Sequence, residues 1–312
     1  MTISRTDHVI CATPPGLLRA ERSMGFRLTR YAVIFAAACH AGQDLGSNPD
    51  GNGHQVHGPG ELIAYTRGIG LDGTKGLYVA RRDASGELVL HSAHNLATPS
   101  WSPDGTRIAF TADGLLYLID RDGQNLASLV PGGVSGVLEP KWSPDGTKIM
   151  FSTTSTIYTV SATGGAATVL ATDAASPAWS PDGSQIAYRS GTGATAALWV
   201  INADATDPHK VVGPLDQFFT PGTAWSPDGS VIAFCLGDFE SDIWTIAPTG
   251  GTPKQITTAA GGEYNLSYSP DGSKIAMYHF ADTNNFGVYE LTLATGILAP
   301  LIPKSEDPAY QP

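Results

Sequence analysis

The sequence predicts an all-β fold: a six-bladed β-propeller of four-stranded antiparallel blades, its ring closed by the C-terminal strand joining the N-terminal blade. Two observations predict it. A five-residue phrase recurs every 37 to 46 residues, and short apolar runs follow each copy at similar distances. A period near 40 residues with strand-like content is typical of a propeller blade. Composition agrees, because Gly (36) and Pro (22) are plentiful and only 15% of residues are charged.

The recurring phrase is an aromatic residue followed by Ser-Pro-Asp-Gly. Pro presets the first corner of a type I turn, Asp suits the second, and Gly takes the left-handed conformation that follows, so each copy predicts a hairpin. One aromatic residue per blade indicates packing between neighbouring sheets, and the Asp carboxylate indicates an acceptor of backbone N–H groups. These structural repeat positions are Trp101, Asp104, Trp142, Asp145, Trp179, Asp182, Trp225, Asp228, Tyr268 and Asp271.

The segments between the turns supply the other strands of a blade. An apolar run follows each turn, as in Ile108–Phe110 and Ile232–Phe234, and predicts a second strand that is buried on both faces. A third apolar run such as Leu115–Ile119 comes next. A more polar fourth run, such as Lys254–Thr258, is expected on the outer, solvent-facing edge.

The two ends of the repeat region are expected to share one blade. The runs Leu62–Tyr65, Leu77–Ala80 and Leu88–Leu90 supply strands two to four of a blade that lacks its first strand. The C-terminal stretch Asp307–Pro312 matches Ser176–Pro181, which opens another blade. The last strand is therefore expected to close the ring, which removes two exposed sheet edges.

The five units over residues 61–312 resemble the WD-like repeats of the TolB β-propeller family. The resemblance implies an envelope protein whose propeller binds a protein partner, as TolB binds the lipoprotein Pal. It covers the propeller part only, because TolB also has a large N-terminal α/β domain, so Pal binding is not carried over. Related propellers precede the hydrolase domain of prolyl-oligopeptidase-like peptidases, but this sequence has no Gly-x-Ser-x-Gly nucleophile elbow.

Residues 1–39 are predicted to be a leader and signal segment. Arg27 and Arg30 precede the apolar run Tyr31–Ala38, which ends in small residues; this order is that of a secretory signal, and the run is too short to span a membrane. Cys39 follows directly, which resembles a bacterial lipoprotein signal with Cys39 as the lipidated residue and Met24 as the true start. The alternative is a signal that is simply cleaved. Either way we expect export, to the periplasm or to an outer-membrane anchor.

Residues 40–60 are predicted to be a flexible linker, because they are rich in Gly, Asn and Asp and have no apolar period. The formal net charge of −11 disfavours nucleic-acid binding. Three widely spaced cysteines make neither a disulfide framework nor a zinc site, and we expect no cofactor. Membrane contact is expected only through the lipid anchor, and the protein is expected to be a monomer.

Function is expected where the repeats differ, on loops held by the ring. We call the side that carries the Ser-Pro-Asp-Gly turns face Y. Face X then carries the loops from strand four to the next strand one and from strand two to strand three, around the channel mouth. We expect an envelope protein or a glycan to bind there. The candidate binding residues are His94, Asn95, Glu139, Lys141, Asp238, Phe239, Glu240, Glu263, Asn265, His279 and Glu306.

The alternative is a metal-assisted carbohydrate-active enzyme of the lyase type that uses the propeller channel. Some related propellers hold a metal with channel histidines, and His94 and His279 are the residues that would approach one mouth here. They belong to different blades and have no evident third ligand, whereas a catalytic metal needs convergent ligands and an open position. The sequence therefore favours binding or scaffolding over catalysis, and no catalytic or metal-binding residue is assigned.

Overall fold

The computed structural model describes residues 61–69, 72–129, 133–214, 222–237, 240–258 and 260–312. These residues form six four-stranded antiparallel sheets, the blades of the predicted propeller. The innermost strands of successive blades contact one another around a central channel. No helix among the described residues is long and apolar enough to cross a membrane. The predicted signal segment, Cys39 and the predicted linker lie outside the described residues.

Each blade is numbered along the chain, and blade I is the one built from both ends. Its strands, from the channel outwards, are β24 (Glu306–Tyr310), β1 (Leu62–Gly68), β2 (Thr74–Arg81) and β3 (Leu88–His94). Blade II has β4 (Ala97–Trp101), β5 (Arg107–Ala112), β6 (Leu115–Asp120) and β7 (Ala127–Ser128). Blade III has β8 (Leu138–Trp142), β9 (Lys148–Ser152), β10 (Thr156–Ser161) and β11 (Thr168–Thr172).

The other three blades repeat this order. Blade IV has β12 (Ala174–Trp179), β13 (Gln185–Ser190), β14 (Ala197–Asn202) and β15 (His209–Val212), with a short 3-10 helix (Gly193–Thr195) before β14. Blade V has β16 (Thr223–Trp225), β17 (Ile232–Leu236), β18 (Asp242–Ile246) and β19 (Lys254–Gln255). Blade VI has β20 (Gly262–Tyr268), β21 (Lys274–Phe280), β22 (Phe286–Thr292) and β23 (Ile297–Pro303).

The hydrophobic core consists of layers between neighbouring blades. The second strands supply the most deeply buried side chains, including Phe110, Phe151 and Phe234, none of which reaches solvent. Such strands are apolar on both sides because a blade has a neighbour on each face. The outermost strands are short and polar by comparison: β19 covers only Lys254–Gln255, less than the predicted run.

The Ser-Pro-Asp-Gly turns form as predicted. In the first of them Gly105 has a φ of 65° and donates its N–H to the carbonyl of Ser102. The Asp104 carboxylate accepts from the Ser102 hydroxyl at 2.6 Å and from the backbone N–H of Thr106 at 3.1 Å. The same pattern recurs in the other four turns, so these carboxylates stabilise the turns by satisfying local donors.

We expect the turn carboxylates to make the stability of the protein depend on pH in the acidic range. Hydrogen bonds from the Ser226 hydroxyl and from Ser230 lower the pKa of Asp228 to about 2, from a usual value of 3.8. A lowered folded-state pKa adds stability above the unfolded-state value, and that stability is lost as the pH falls from about 4 to about 2. In urea unfolding between these pH values, Asp228→Asn should lose less stability than the unaltered protein. Equal losses of stability in Asp228→Asn and the unaltered protein would contradict this prediction. The control variant is Glu240→Gln.

The inner-strand tryptophans link each blade to the one before it. Trp225 donates its indole N–H to the carbonyl of Ala178 at 3.2 Å, and Trp101 donates to Ala309 at the same distance. Trp179 donates likewise to Lys141 at 3.3 Å. In Trp142 the indole nitrogen is buried and has no hydrogen-bond partner. Three of the four tryptophans therefore hydrogen-bond across the seam between two blades.

We expect Trp225→Phe to lower the free energy of unfolding by about 1–3 kcal/mol more than Trp142→Phe does. Both exchanges lose similar packing, but only the first leaves a buried carbonyl, that of Ala178, without its donor. Chemical denaturation of the two variants measures the difference. Equal losses would show that the indole hydrogen bond contributes nothing at this seam.

The ring closes as predicted. Strand β24 pairs with β1, with Ala309 opposite Ala64 and Tyr310 opposite Ile63. The seam to blade VI is held by Glu290, which accepts from Arg82 at 2.6 Å and also from Lys274 and the Tyr310 hydroxyl. One carboxylate of blade VI thus binds two side chains of blade I.

Candidate functional site

Between its two openings, the channel is lined by a ring of one residue from each blade. This ring, which we call the waist, lies three positions before the inner-strand aromatic residue. All six residues have a positive φ, between 49° and 55° in five of them and 144° in the glycine. In five blades the pairing between first and second strand shifts register here, as it does at a β-bulge. The waist residues are Thr98, Glu139, Ser176, Gly222, Asn265 and Asp307.

Side chains of the waist hydrogen-bond from one blade to the next. Asp307 accepts from the Asn265 amide at 2.6 Å and from the backbone N–H of Thr98 at 3.2 Å. Glu139 accepts from the backbone N–H of Ser176 at 3.0 Å. Non-glycine residues seldom adopt positive φ, so these bonds explain how the surrounding structure holds the bulges. The waist encloses a cavity of about 20 Å³, room for one water molecule.

Burial dominates the electrostatics of the waist. It raises the pKa of Asp307, and the nearby Glu306 carboxylate raises it further. Burial lowers the pKa of the Lys141 ammonium, which lies two residues beyond Glu139, while the charges of Glu139 and Asp307 oppose that shift. The channel therefore holds two acidic side chains and one lysine, of which Asp307 is buried and Glu139 and Lys141 are half-buried.

Face X opens into a funnel of about 540 Å³ above the waist. Tyr264 and Tyr278 form one wall, with their ring centroids 5.9 Å apart, and exposed Leu138 lies on the wall formed by blade III. Arg189 reaches the funnel from blade IV and donates to the carbonyl of Gly191 at 3.0 Å. The lining thus combines aromatic, aliphatic, cationic and acidic groups, the acidic ones being Glu139, Glu306 and Asp307.

The rim of the funnel carries a fixed ion pair. Lys75 of β2 donates to Glu306 at 2.7 Å, and both side chains are about one-third exposed. Burial raises the pKa of Tyr278 to about 12, and the charge of Glu306 contributes to this shift. Tyr278 therefore presents a neutral hydroxyl to the funnel at physiological pH.

Face Y opens into a second depression, which we call the basin, of about 450 Å³. Its wall repeats around the ring: it consists of the edge of each inner-strand aromatic residue and the proline of four of the five Ser-Pro-Asp-Gly turns. Below the waist, Lys141 reaches the floor of this basin. The aromatic members of the wall are Trp101, Trp142, Trp179, Trp225, Tyr268 and Tyr310.

The structure brings some of the sequence-predicted binding residues together at the channel. Glu306 lies in the funnel, and Glu139 and Asn265 lie in the waist and also line the funnel. Lys141 lies deeper, between the waist and the basin. Asp238 and Phe239 lie outside the described residues.

Other predicted residues lie away from the mouth. His94 is exposed as the last residue of β3, the outermost strand of blade I, and Asn95 follows it, with its amide donating to Asp113 at 3.1 Å. Glu240 is exposed ahead of β18. These three residues lie on the side of face X, His94 at the end of a strand and the other two in loops, but none of them lines the funnel.

Glu263 and His279 are buried between blades V and VI rather than exposed at the mouth. They are directly opposite each other in the ladder of β20 and β21, with Nδ1 of His279 3.3 Å from Oε1 of Glu263. The Thr257 hydroxyl donates to the other oxygen of Glu263 at 3.2 Å. Burial raises the pKa of Glu263. The two residues are buried and not at the mouth because β21 continues to Phe280, so His279 belongs to a strand and not to a loop.

The metal-dependent alternative has no assembled ligand set in the part of the chain that the structure describes. No group of three or more His, Cys, Asp or Glu side chains there could hold a metal ion. His94 is exposed at the outer edge of blade I, whereas His279 packs against the ring of Tyr289 at 4.7 Å. The two histidines do not face a common opening.

Sequence reasoning missed Asp307, Arg189, Tyr264 and Tyr278. Asp307 could have been found, because it occupies the same repeat position as Glu139 and Asn265, which were both selected. Arg189 and Tyr278 lie near the ends of second strands, where only the length of the strand decides whether a side chain reaches the mouth. That length has no clear signal in a single sequence.

Residues 171–299 match the family model of the TolB beta propeller domain. Among solved structures, the chain is similar to TolB from Acinetobacter baumannii, with a TM-score of 0.69, 18% identity and coverage of 81% of this chain and 67% of that one. It is also similar to a TolB of Agrobacterium tumefaciens, with a TM-score of 0.64, 20% identity and coverage of 77% and 87%. A chain of the Nidogen/Laminin complex has a TM-score of 0.65, 10% identity and coverage of 80% and 98%. No curated protein matches the sequence.

Proposed function

Starting from a propeller built of TolB-type repeats, we propose that the chain is an exported, envelope-associated scaffold that binds a protein partner in the funnel on face X. The observation that carries the proposal is the lining of the funnel. It places the Tyr264–Tyr278 pair and exposed Leu138 around one opening, with Arg189 on its edge. Aromatic residues and arginine are the side chains most enriched at the energetic centres of protein interfaces.

The path of the chain also favours face X. Strand β1 begins at face Y and strand β24 ends there, because the hairpin turns between first and second strands lie on that side. A lipid anchor at Cys39 would therefore be joined to the propeller through face Y. The funnel on face X then stays accessible to a partner while the chain is tethered.

Site-specific photo-crosslinking tests the docking face. A photoreactive residue at Leu138, which is 47% exposed in the funnel, is expected to capture a discrete envelope protein in cells. The matched control is the same residue at Asp122, which is exposed in a turn on face Y. Capture should be lost when Tyr278→Ala is added. Equal capture from both positions, or capture unaffected by Tyr278→Ala, would refute the proposal.

The envelope location has its own test. Fractionation should place the protein in the periplasmic or membrane fraction, and Cys39→Ser should release it from membranes if Cys39 carries the lipid. Recovery in the cytosol would contradict export, and unchanged membrane attachment of the variant would contradict lipidation.

A glycan is the second candidate occupant of the funnel, since the half-buried tyrosine pair offers a surface on which a sugar ring can stack. Titration with envelope polysaccharide fragments decides between the two. Saturable binding that is lost in Tyr278→Ala, together with no protein capture from position 138, would favour the glycan.

A further inference from the structure

The basin on face Y has walls that are almost entirely uncharged. Edges of tryptophan and tyrosine rings, prolines, and small Ser, Thr and Ala side chains form them. Among the described residues that line the basin, Lys141 has the single charged side chain. The chain as a whole has a net charge of −11, so a lone cation at the floor of this opening is an exception that calls for an explanation.

Lys141 is also an exception within the repeat. The position directly before the inner-strand aromatic residue is occupied by small side chains in the other five blades. A long side chain at this position therefore extends into the bore of the channel, where its neighbours leave space. The five equivalents are Ser100, Ala178, Ala224, Ser267 and Ala309.

The carboxylates near Lys141 are engaged elsewhere. Glu139 accepts from Ser152 at 3.0 Å and from Ser176, and Asp307 accepts from Thr66 at 3.0 Å, from Thr98 and from Asn265. The Lys141 ammonium forms no ion pair or hydrogen bond with any other residue that the structure describes. Lys141 is half-buried and its ammonium has no direct partner, so part of its hydration is already lost and an incoming anion binds at a smaller cost.

Two further side chains of the basin have unsatisfied polar atoms. The indole N–H of Trp142, next to Lys141, is a donor without a partner, and Oε1 of Gln311 is an acceptor without one. Both side chains are more than nine-tenths buried. Both atoms are buried at the edge of the basin, so a bound ligand pairs with them only after a shift of these two side chains.

We propose that the basin on face Y is a second binding site, which takes a peptide segment whose carboxylate pairs with Lys141. The carboxylate is either a chain terminus or an Asp or Glu side chain. The ring edges and prolines of the wall pack against the body of the peptide. The site is independent of the partner proposed for the funnel.

Three short peptides test the site, with intrinsic tryptophan fluorescence as the readout, since four tryptophans line the basin. The first is acetyl-Gly-Pro-Gly with a free carboxylate, the second is its C-terminal amide, and the third is acetyl-Gly-Asp-Gly amide. One of the two carboxylate peptides should bind saturably with a dissociation constant of about 1 mM or lower. The neutral amide should bind at least about ten-fold more weakly. The better carboxylate peptide identifies the source of the group.

Substitution of the cation completes the test. Lys141→Ala is expected to fold, because three blades already carry Ala there, and to weaken binding of the carboxylate peptide to the level of the amide. Lys141→Arg should retain most of the binding, and Lys148→Ala, at an exposed lysine of blade III, should change nothing. The proposal is overturned if neither carboxylate peptide binds the unaltered protein, if acid and amide bind alike, or if Lys141→Ala binds like the unaltered protein.

Discussion

Removal of residues 306–312 is expected to lower the melting temperature by at least about 10 °C or to prevent folding. The deletion takes away β24, the inner strand of blade I, with its buried residues Ala309 and Tyr310. It exposes the edge of β1 and leaves the indole of Trp101 without its acceptor at Ala309. Together these losses amount to about 5 kcal/mol or more, a large share of the stability of an ordinary domain.

Thermal unfolding followed by circular dichroism measures the effect. A short Gly-Ser extension after Pro312 is the control, because Pro312 is exposed and the extension leaves β24 intact. A melting temperature of the deletion variant within about 2 °C of the unaltered protein would mean that the terminal strand does not close the ring.

Asp307→Ala is expected to lower the free energy of unfolding by about 3 kcal/mol. The Asp307 carboxylate accepts hydrogen bonds from Thr66 of its own blade, from Thr98 of blade II and from Asn265 of blade VI. One side chain thus connects three consecutive blades at the waist. Its removal leaves three donors without their acceptor in a site shielded from water.

Asp307→Asn is the matched comparison, because it keeps the size of the side chain and one acceptor oxygen. It should lose clearly less stability than the Ala variant in urea unfolding at neutral pH. Glu139→Ala removes the acceptor between blades III and IV. It is expected to lower the free energy of unfolding by a similar amount to Asp307→Ala. If Asp307→Ala unfolds like the unaltered protein, the hydrogen bonds of the waist do not contribute to stability.

The blade count and the closure of the ring were predictable because their signals are local and repeat five times. Pro, Asp and Gly determine a turn within four residues, and the tryptophan before it marks the inner strand. The C-terminal Tyr310 could be assigned to the ring only because it matches these copies. The first and last residues of outer strands such as β19 were harder to predict, because solvent-facing edge strands carry little apolar pattern.

The backbone conformation of the waist was not predictable from the sequence. Positive φ is usual for glycine and tolerated by Asn and Asp, but here Thr98, Ser176 and Glu139 also adopt it. Their conformation depends on hydrogen bonds to the neighbouring blade, whose partner residue lies 37 positions away for Glu139 and Ser176 and 209 positions away for Thr98 and Asp307. A single sequence contains no direct signal for such a contact.

At the seam between blades V and VI, the sequence-based prediction placed two polar residues wrongly. Glu263 and His279 were expected at the mouth because polar residues usually lie on loops. The structure pairs them across β20 and β21, each of which is seven residues long, and buries both side chains. Because β20 and β21 are long, the Glu263–His279 pair lies in the sheet and not in a loop. The polarity of the two residues alone did not reveal this position.

Both openings of the channel exist only if the ring is closed between β24 and β1, so disulfide trapping of this seam is the most direct test. Ala64 and Ala309 are opposite each other in the ladder, and such pairs have Cα atoms about 4.5–5.5 Å apart, within the range of a disulfide. In a background of Cys11→Ser and Cys39→Ser, the double variant Ala64→Cys and Ala309→Cys should oxidise to a species that migrates faster on a non-reducing gel. The pair Ala64→Cys and Ala187→Cys, with its second residue in blade IV, should not. Absence of the crosslink in the first pair, or its formation in both, would contradict the closed six-bladed ring.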